Sequence, residues 1–238
     1  MSTMKNSRIL LKLSGEALLP KSRESVIDVS FASFIARQIK EVVESGIQTA
    51  VVIGGGNIFR GAIGESLGMD RVKGDYMGMI ATVINGLAVE SALENLGVGT
   101  AVFSPVADCD VVKPFNQREA LAELDNGKVV ICSGGTGNPY FTTDTAAALR
   151  AVELGCGRLL KATKVKGVYS DDPMKKPDAT FFPRLSYDEV LSRNLRVMDQ
   201  TAFSLCRDNR LPIIVFNVGE DGNIVRAASG EDIGTLIS

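Results

Sequence analysis

Three consecutive glycines, Gly54, Gly55 and Gly56, follow the apolar run AVVI at 50–53, and Arg60 stands four positions beyond the last of them. In parallel α/β sheets ligands collect at the carboxyl ends of strands. Glycine there lets backbone N–H groups approach a phosphate with no Cβ in the way, and a following helix N-terminus adds partial positive charge. A tight strand-to-helix turn with no ligand would use the same residues. A second glycine-rich stretch, SGGTGNPYFTTD at 133–144, also leaves an apolar run and enters a helical pattern. Its glycines, hydroxyls, amide and aromatic residues suit a shaped pocket that also contacts a ring. Lys12 interrupts the apolar run RILLKL just before Ser14 and Gly15. It reads either as an edge-strand charge or as a point charge aimed from a strand end at bound phosphate.

The usual nucleotide loops are missing. No glycine-lysine pair is followed by Ser or Thr, and no GxGxxG occurs. The chain has no histidine, which removes Ser-His-Asp and Cys-His catalysis, histidine bases and every histidine-containing metal site. Its four cysteines, Cys109, Cys132, Cys156 and Cys206, lie far apart without a CxxC and read as buried, reduced thiols of a cytoplasmic protein. A formal net charge of -2 argues against broad nucleic-acid binding and leaves room for a local cluster that takes a small anion.

These residues need a frame. Strand-like and helix-like patterns alternate. RILLKL at 8–13 is followed by Phe31, Phe34, Ile35, Ile39, Val42 and Val43 at helical spacing, with Gly46 placed to end the helix. AVVI comes next, then a helical stretch from about Tyr76 to Asn95, the run TAVF, a helix near 117–124, KVVICS, a helix near 143–154 and RLLKA. This order predicts an α/β fold, a three-layer sandwich whose mainly parallel sheet is covered by helices on both faces. Beyond Ala162 the pattern loosens into a loop rich in Asp, Lys and Pro, a capping-box helix at Ser186 and Glu189, and the late strand LPIIVFN. With 238 residues and no linker or repeat, one domain over 1–238 is expected. ILLKL is too short for a signal peptide, and no later stretch is expected to span a bilayer.

Taken together, KLSGEAL, VVIGGGNIFRG, GDYMGMIATVINGLA, GTGNPYFTTD and KATKVKGVYSDDP resemble the bacterial-type UMP kinases of the amino-acid kinase superfamily, in order from about Arg8 to Ile237. KLSGE and GGGN mark only the superfamily, whereas the GDYMG and GTGNP segments are specific to the UMP branch. The resemblance implies transfer of the γ-phosphoryl group of ATP to UMP, with Mg²⁺ carried on the donor and no protein metal site. It puts the UMP side mainly in the N-terminal part and the ATP side mainly in the C-terminal part.

Carried over position by position, Lys12, Leu13, Ser14 and Gly15 lie on the ATP phosphates, with Gly56 and Arg60 also facing ATP. Thr163, Tyr169 and Asp172 match the adenosine side. Gly55 and Asp75 contact UMP, as do Thr136, Gly137, Asn138, Pro139, Tyr140, Phe141, Thr142 and Thr143. Lys12, Arg60 and Asp144 are the catalytic set, with Asp144 orienting the lysine and Lys164 a second lysine to weigh. Plainer roles exist: a helix-start charge for Asp75 or Asp144, a turn residue for Asp172.

The resemblance also implies a homohexamer inhibited by UTP. Met77, Met79, Ile80, Val83, Ile84 and Leu87 form one apolar stripe that would serve either an interface or the core. One stretch departs: ALLPKSRESVI at 17–27 lacks the glycine-rich run linked to GTP regulation. Two other readings stay open, a carboxylate or carbamate kinase of the same fold and a nucleotide sensor without catalysis.

Overall fold

The computed structural model describes residues 8–20, 25–60, 68–195 and 197–238. Gly61 and residues 21–24 of the departing stretch lie outside them, as do residues 1–7. The strands in chain order are β1 (Arg8–Leu13), β2 (Gln48–Ile53), β3 (Thr100–Ser104), β4 (Lys113–Pro114), β5 (Val129–Cys132), β6 (Arg158–Thr163), β7 (Val168–Tyr169), β8 (Phe181–Phe182), β9 (Arg184–Leu185), β10 (Ile213–Asn217) and β11 (Thr235–Ile237). Nine of them form one sheet in the order β4-β3-β5-β2-β1-β6-β10-β11-β9, and β7 with β8 makes a separate antiparallel pair. From β4 to β10 every neighbour is parallel, and β11 turns back antiparallel to β10.

The inner strands read as unbroken apolar runs because both their faces are covered. Successive side chains of β1 enter opposite cores. Leu11 and Leu13, with Val51, Ile53 and Leu160, pack under the helices α1 (Val29–Glu44) and α2 (Arg71–Glu94). On the other face Leu10, Val52 and Leu159 pack under α3 (Gln117–Asp125) and α4 (Thr143–Glu153). The short α5 (Tyr187–Ser192) and α6 (Gln200–Asp208) extend that second layer, and α7 (Asn223–Ser229) extends the first. The expected three-layer sandwich is the fold observed.

Local chemistry sets the helix ends. Asp28 accepts the N–H of Phe31 at the start of α1, and Gly46 follows its end with φ of 85°. Ser186 and Glu189 form the expected capping box. Helix α2 begins at Arg71, earlier than the apolar pattern from Tyr76 indicates, because Asp70 caps it by accepting from Lys73 N–H. By length and composition α2 could cross a membrane, contrary to expectation. Its buried Val83, Val89 and Leu93, packed on the sheet and α1, make it a core helix. The apolar stripe along it splits: Met79 and Val83 are buried, while Met77, Ile80 and Ile84 are exposed.

The sheet also fixes where a ligand would go. After β5 the chain crosses back over β2 and β1 to place β6 on the far side, so the strand order reverses about β1. The carboxyl ends of β1, β2, β5 and β6 line up there, carrying Ser14, Gly54, Ser133 and Thr163.

Candidate active site

Lys12 and Lys161 occupy register positions on the adjacent strands β1 and β6. Both point into the face covered by α4, whose first turn holds Asp144. Lys161 Nζ donates to Asp144 Oδ2 at 2.6 Å, and Lys12 Nζ stands 2.8 Å from Oδ1. The second contact is an ion pair whose angle is poor for a hydrogen bond, so Oδ1 is held mainly by charge. The side chains are only 12, 16 and 12% exposed for Lys12, Asp144 and Lys161. Burial works against the Asp144 carboxylate, yet the two ammonium groups outweigh it and hold its pKa below the ordinary value. Burial lowers the Lys161 pKa, with Asp144 opposing and Lys12 reinforcing the shift. Asp199, bonded to Thr145 in the same turn of α4 as Asp144, also acts on Lys161 from farther off. Both ammonium groups pair closely only with Asp144, so an arriving anion would find two poorly solvated cations sharing one carboxylate.

The two glycine turns meet beside this cluster. A Cβ on Gly15 would stand 2.3 Å from Gly54 O, and one on Gly55 would stand 2.7 Å from Gly78 O and 2.8 Å from Ala81 Cβ. These glycines are required by close packing, whatever ligand they meet. Gly56 differs: a Cβ there would meet only Glu16 Cγ, at 3.8 Å. The chain leaves Gly56 through a single turn closed by Ile58 and Phe59 N–H on Gly55 O, and α2 starts only at Arg71. The expected strand-to-helix step holds for the second turn, where Thr143 opens α4; after the first turn residues 61–67 lie outside the described residues. Thr142 Oγ1 caps α4 by accepting from Asp144 and Thr145 N–H.

Two cavities open at this sheet edge. The smaller, about 240 Å³, is lined by Gly55, Asp75, Thr136, Asn138, Phe141 and Thr143 among others. Thr142 lines it as well, and so does Gly56, which was expected on the ATP side. Gly137, Pro139 and Tyr140 of the same loop do not line it. Gly137 packs near Pro105 with φ of 81°, and exposed Tyr140 adopts φ of 71° with its N–H donating to Asp75 Oδ2 at 2.7 Å. Arg71 Nε donates to both Asp75 oxygens at 3.0 Å. The larger cavity, about 650 Å³, brings together Thr163, Tyr169 and Asp172 as the adenosine-side expectation requires. Lys12, Leu13, Ser14, Gly15 and Arg60 line neither cavity. Arg60 pairs with Glu16 at 2.7 Å and donates to Gly56 O at 3.1 Å.

Several contributors escape the sequence reading. Lys161, not the exposed Lys164 beyond the strand, is the second lysine on Asp144. Asp199 caps α6 and accepts from the hydroxyls of Thr142 and Thr145, joining α6 to the start of α4. Asn85, fully buried on α2, donates to Gly54 O and to Asn57 Oδ1, both at 2.7 Å, and so braces the first glycine turn. Of the cysteines, Cys132, Cys156 and Cys206 are buried, and burial pushes each thiol up to about 12. Cys109 is exposed, against expectation, because it sits in the loop before β4.

The model of the amino acid kinase family matches residues 7–217 of this chain. Among solved structures, UMP kinase from Bacillus anthracis is 39% identical with a TM-score of 0.93, covering 98% of this chain and 96% of its own. UMP kinase from Ureaplasma parvum is also 39% identical, with a TM-score of 0.92 over 99% of this chain and 100% of its own. Uridylate kinase from Archaeoglobus fulgidus is 29% identical at a TM-score of 0.74, over 97% and 99% of the two chains.

Proposed function

This chain belongs to the amino acid kinase family, within its UMP kinase branch, and from that premise we propose that it transfers the γ-phosphoryl group of Mg-ATP to UMP, giving UDP and ADP in pyrimidine nucleotide synthesis. One observation carries the reading. The buried Lys12–Asp144–Lys161 cluster has Thr143 of the smaller cavity next to its aspartate and Thr163 of the larger cavity two residues past its second lysine. An acceptor in the first cavity and a donor in the second would then bring their phosphates to the cluster.

The chemistry suits a site without histidine. A phosphate monoester has a second pKa of about 6 and is largely a dianion near neutrality, so its oxygen attacks without a base. What opposes the reaction is repulsion between acceptor and donor, and catalysis becomes a matter of position and charge. Lys12 and Lys161 supply fixed positive charge, Asp144 orients both, and Arg60 with the glycine-turn amides completes the cradle. Both Asp144 oxygens face lysines, which fits Mg²⁺ arriving on the triphosphate instead of in a protein cage. The metal supplies charge neutralisation on the donor. The smaller cavity has no basic side chain among its described lining residues, which disfavours a carboxylate acceptor.

The chain acts as a single domain, its N-terminal part mainly for UMP and its C-terminal part mainly for ATP. It works in the cytoplasm and assembles as a homohexamer inhibited by UTP. Exposed Met77, Ile80 and Ile84 support a subunit contact on α2. An acceptor panel with Mg-ATP tests the whole reading: UMP, dUMP, CMP, acetylglutamate, glutamate, aspartate and carbamate, followed by ADP release. UDP formation with UMP as the best acceptor is expected. A preference for a carboxylate or carbamate, or UMP binding without UDP, would replace it.

A further inference from the structure

Glu16 follows Gly15 in a short 3-10 turn (Gly15–Leu18), and its Oε1 lies 2.7 Å from Arg60 Nη2. At first sight a glutamate is misplaced there. Its turn adjoins the residues assigned to the donor phosphates, and its charge adds to the repulsion the site must overcome. Nor can its backbone move aside, because Gly15 is pressed against Gly54 with no room for a Cβ. A carboxylate fixed at the junction of two phosphate-facing turns needs a role that offsets its charge.

We propose that Glu16 is a positioning residue that acts through Arg60. A guanidinium offers five N–H donors in a rigid planar fork. The Glu16 carboxylate holds one end by charge, 2.7 Å from Nη2, and the Gly56 carbonyl accepts from Nε at 3.1 Å. Two fixed points on a planar group set its orientation, leaving the remaining donors for phosphate oxygens. Arg60 is half exposed, with a side chain 49% accessible, and without the latch it would spread over many rotamers that have to be ordered in each turnover. The carboxylate also ties the turn after β1 to the turn after β2, so the two phosphate-facing segments share one charged crosspiece. This inference rests on the phosphoryl-transfer reading above.

A double-mutant cycle on the full chain tests it, using wild type, Glu16→Ala, Arg60→Ala and the double variant with UMP and Mg-ATP. Glu16→Ala is expected to lower kcat/KM by about tenfold in the wild-type background and by less than about twofold once Arg60 is gone. Glu16→Gln keeps an acceptor without the charge and is expected to fall between Glu16→Ala and wild type. It also serves the cycle if the alanine variant folds poorly, with melting temperature measured for every chain. Losses that multiply, or an unchanged Glu16→Ala, would overturn the proposal. A wild type that makes no UDP overturns the functional reading instead, and the same four chains then test the latch through calorimetric binding of UMP and of an ATP analogue.

Discussion

Lys12 and Lys161 face one another across two parallel strands, and the single carboxylate of Asp144 takes one ammonium on each oxygen, at 2.8 and 2.6 Å. Register partners on neighbouring parallel strands project from the same face, so the two cations would repel without an anion between them. The anion comes from the first turn of α4, where Thr142 caps the helix and Asp199 fixes Thr142. Substituting either lysine by methionine keeps most of the packing and removes one charge. Lys12→Met is expected to cost about 3 kcal/mol, or about 100-fold in kcat, with UMP affinity changed much less. Lys161→Met is expected to show the same split, measured by steady-state kinetics and calorimetry. Near-normal turnover in either variant would remove that lysine from the phosphate clamp.

Asp144→Asn should affect stability as well as rate, since it removes the one carboxylate paired with both ammonium groups and leaves only Asp199, from farther off, acting on Lys161. Breaking such a pair from one side costs about 3–5 kcal/mol. The pH dependence has a defined sign. Because the folded-state pKa of Asp144 lies below its ordinary 3.8, its stabilisation is complete above 3.8 and is lost as pH falls through the folded value. Denaturant melts of wild type and Asp144→Asn should therefore differ most near neutrality and converge in acid.

For Lys161 the stability sign differs from the activity sign. Its folded pKa lies below the ordinary 10.5, so the folded state gains relative stability as pH rises, while each proton lost removes a clamp charge. The kcat/KM profile, which reports the free enzyme, is expected to show an alkaline limb below 10.5. Lys161→Arg, which does not titrate there, should flatten that limb in whatever activity remains. An unchanged limb would assign it to another group.

The sheet was legible because its inner strands are apolar runs separated by helical periods, as in RILLKL, AVVI and LPIIVFN. Strands β4, β7, β8 and β9, two residues each, are too short to show a period, and α7 starts after Gly222 with no side-chain cap. In the site, Lys12 and Asp144 stood out through their motifs, whereas KATK offers two lysines that spacing cannot separate. Only the pairing of β6 with β1 puts Lys161 beside Lys12 and leaves Lys164 past the strand end. Asp199 lies more than fifty residues from the threonines it holds, so no local pattern could reveal it.

On the acceptor side, Asp75 holds the loop as well as lining the cavity, since it accepts the Tyr140 N–H and two contacts from Arg71 Nε. Asp75→Asn keeps one acceptor oxygen but weakens the charged contact, so the loop should loosen and the UMP contact expected of Asp75 weaken with it. KM for UMP is expected to rise by about tenfold, with KM for ATP within about twofold. If the ATP constant moves instead, the division of the two cavities between acceptor and donor is wrong.

The first glycine turn separates packing from ligand chemistry within two adjacent residues. Alanine at Gly55 would drive a methyl into Gly78 O and Ala81 Cβ, at 2.7 and 2.8 Å, between a strand end and a buried helix that cannot both yield. Overpacking of this kind costs about 1–3 kcal/mol, so Gly55→Ala should melt at lower temperature as well as lose activity. Gly56 has no such neighbour, and its φ is not among the positive ones, so alanine fits the backbone and meets only Glu16 Cγ at 3.8 Å. Gly56→Ala should therefore melt like wild type, while its methyl intrudes on nucleotide and raises KM. Thermal melts beside kinetics on the two variants decide the matter. Equal melting losses would make Gly56 a packing glycine too, and an unaltered KM with normal melting would place it away from any phosphate.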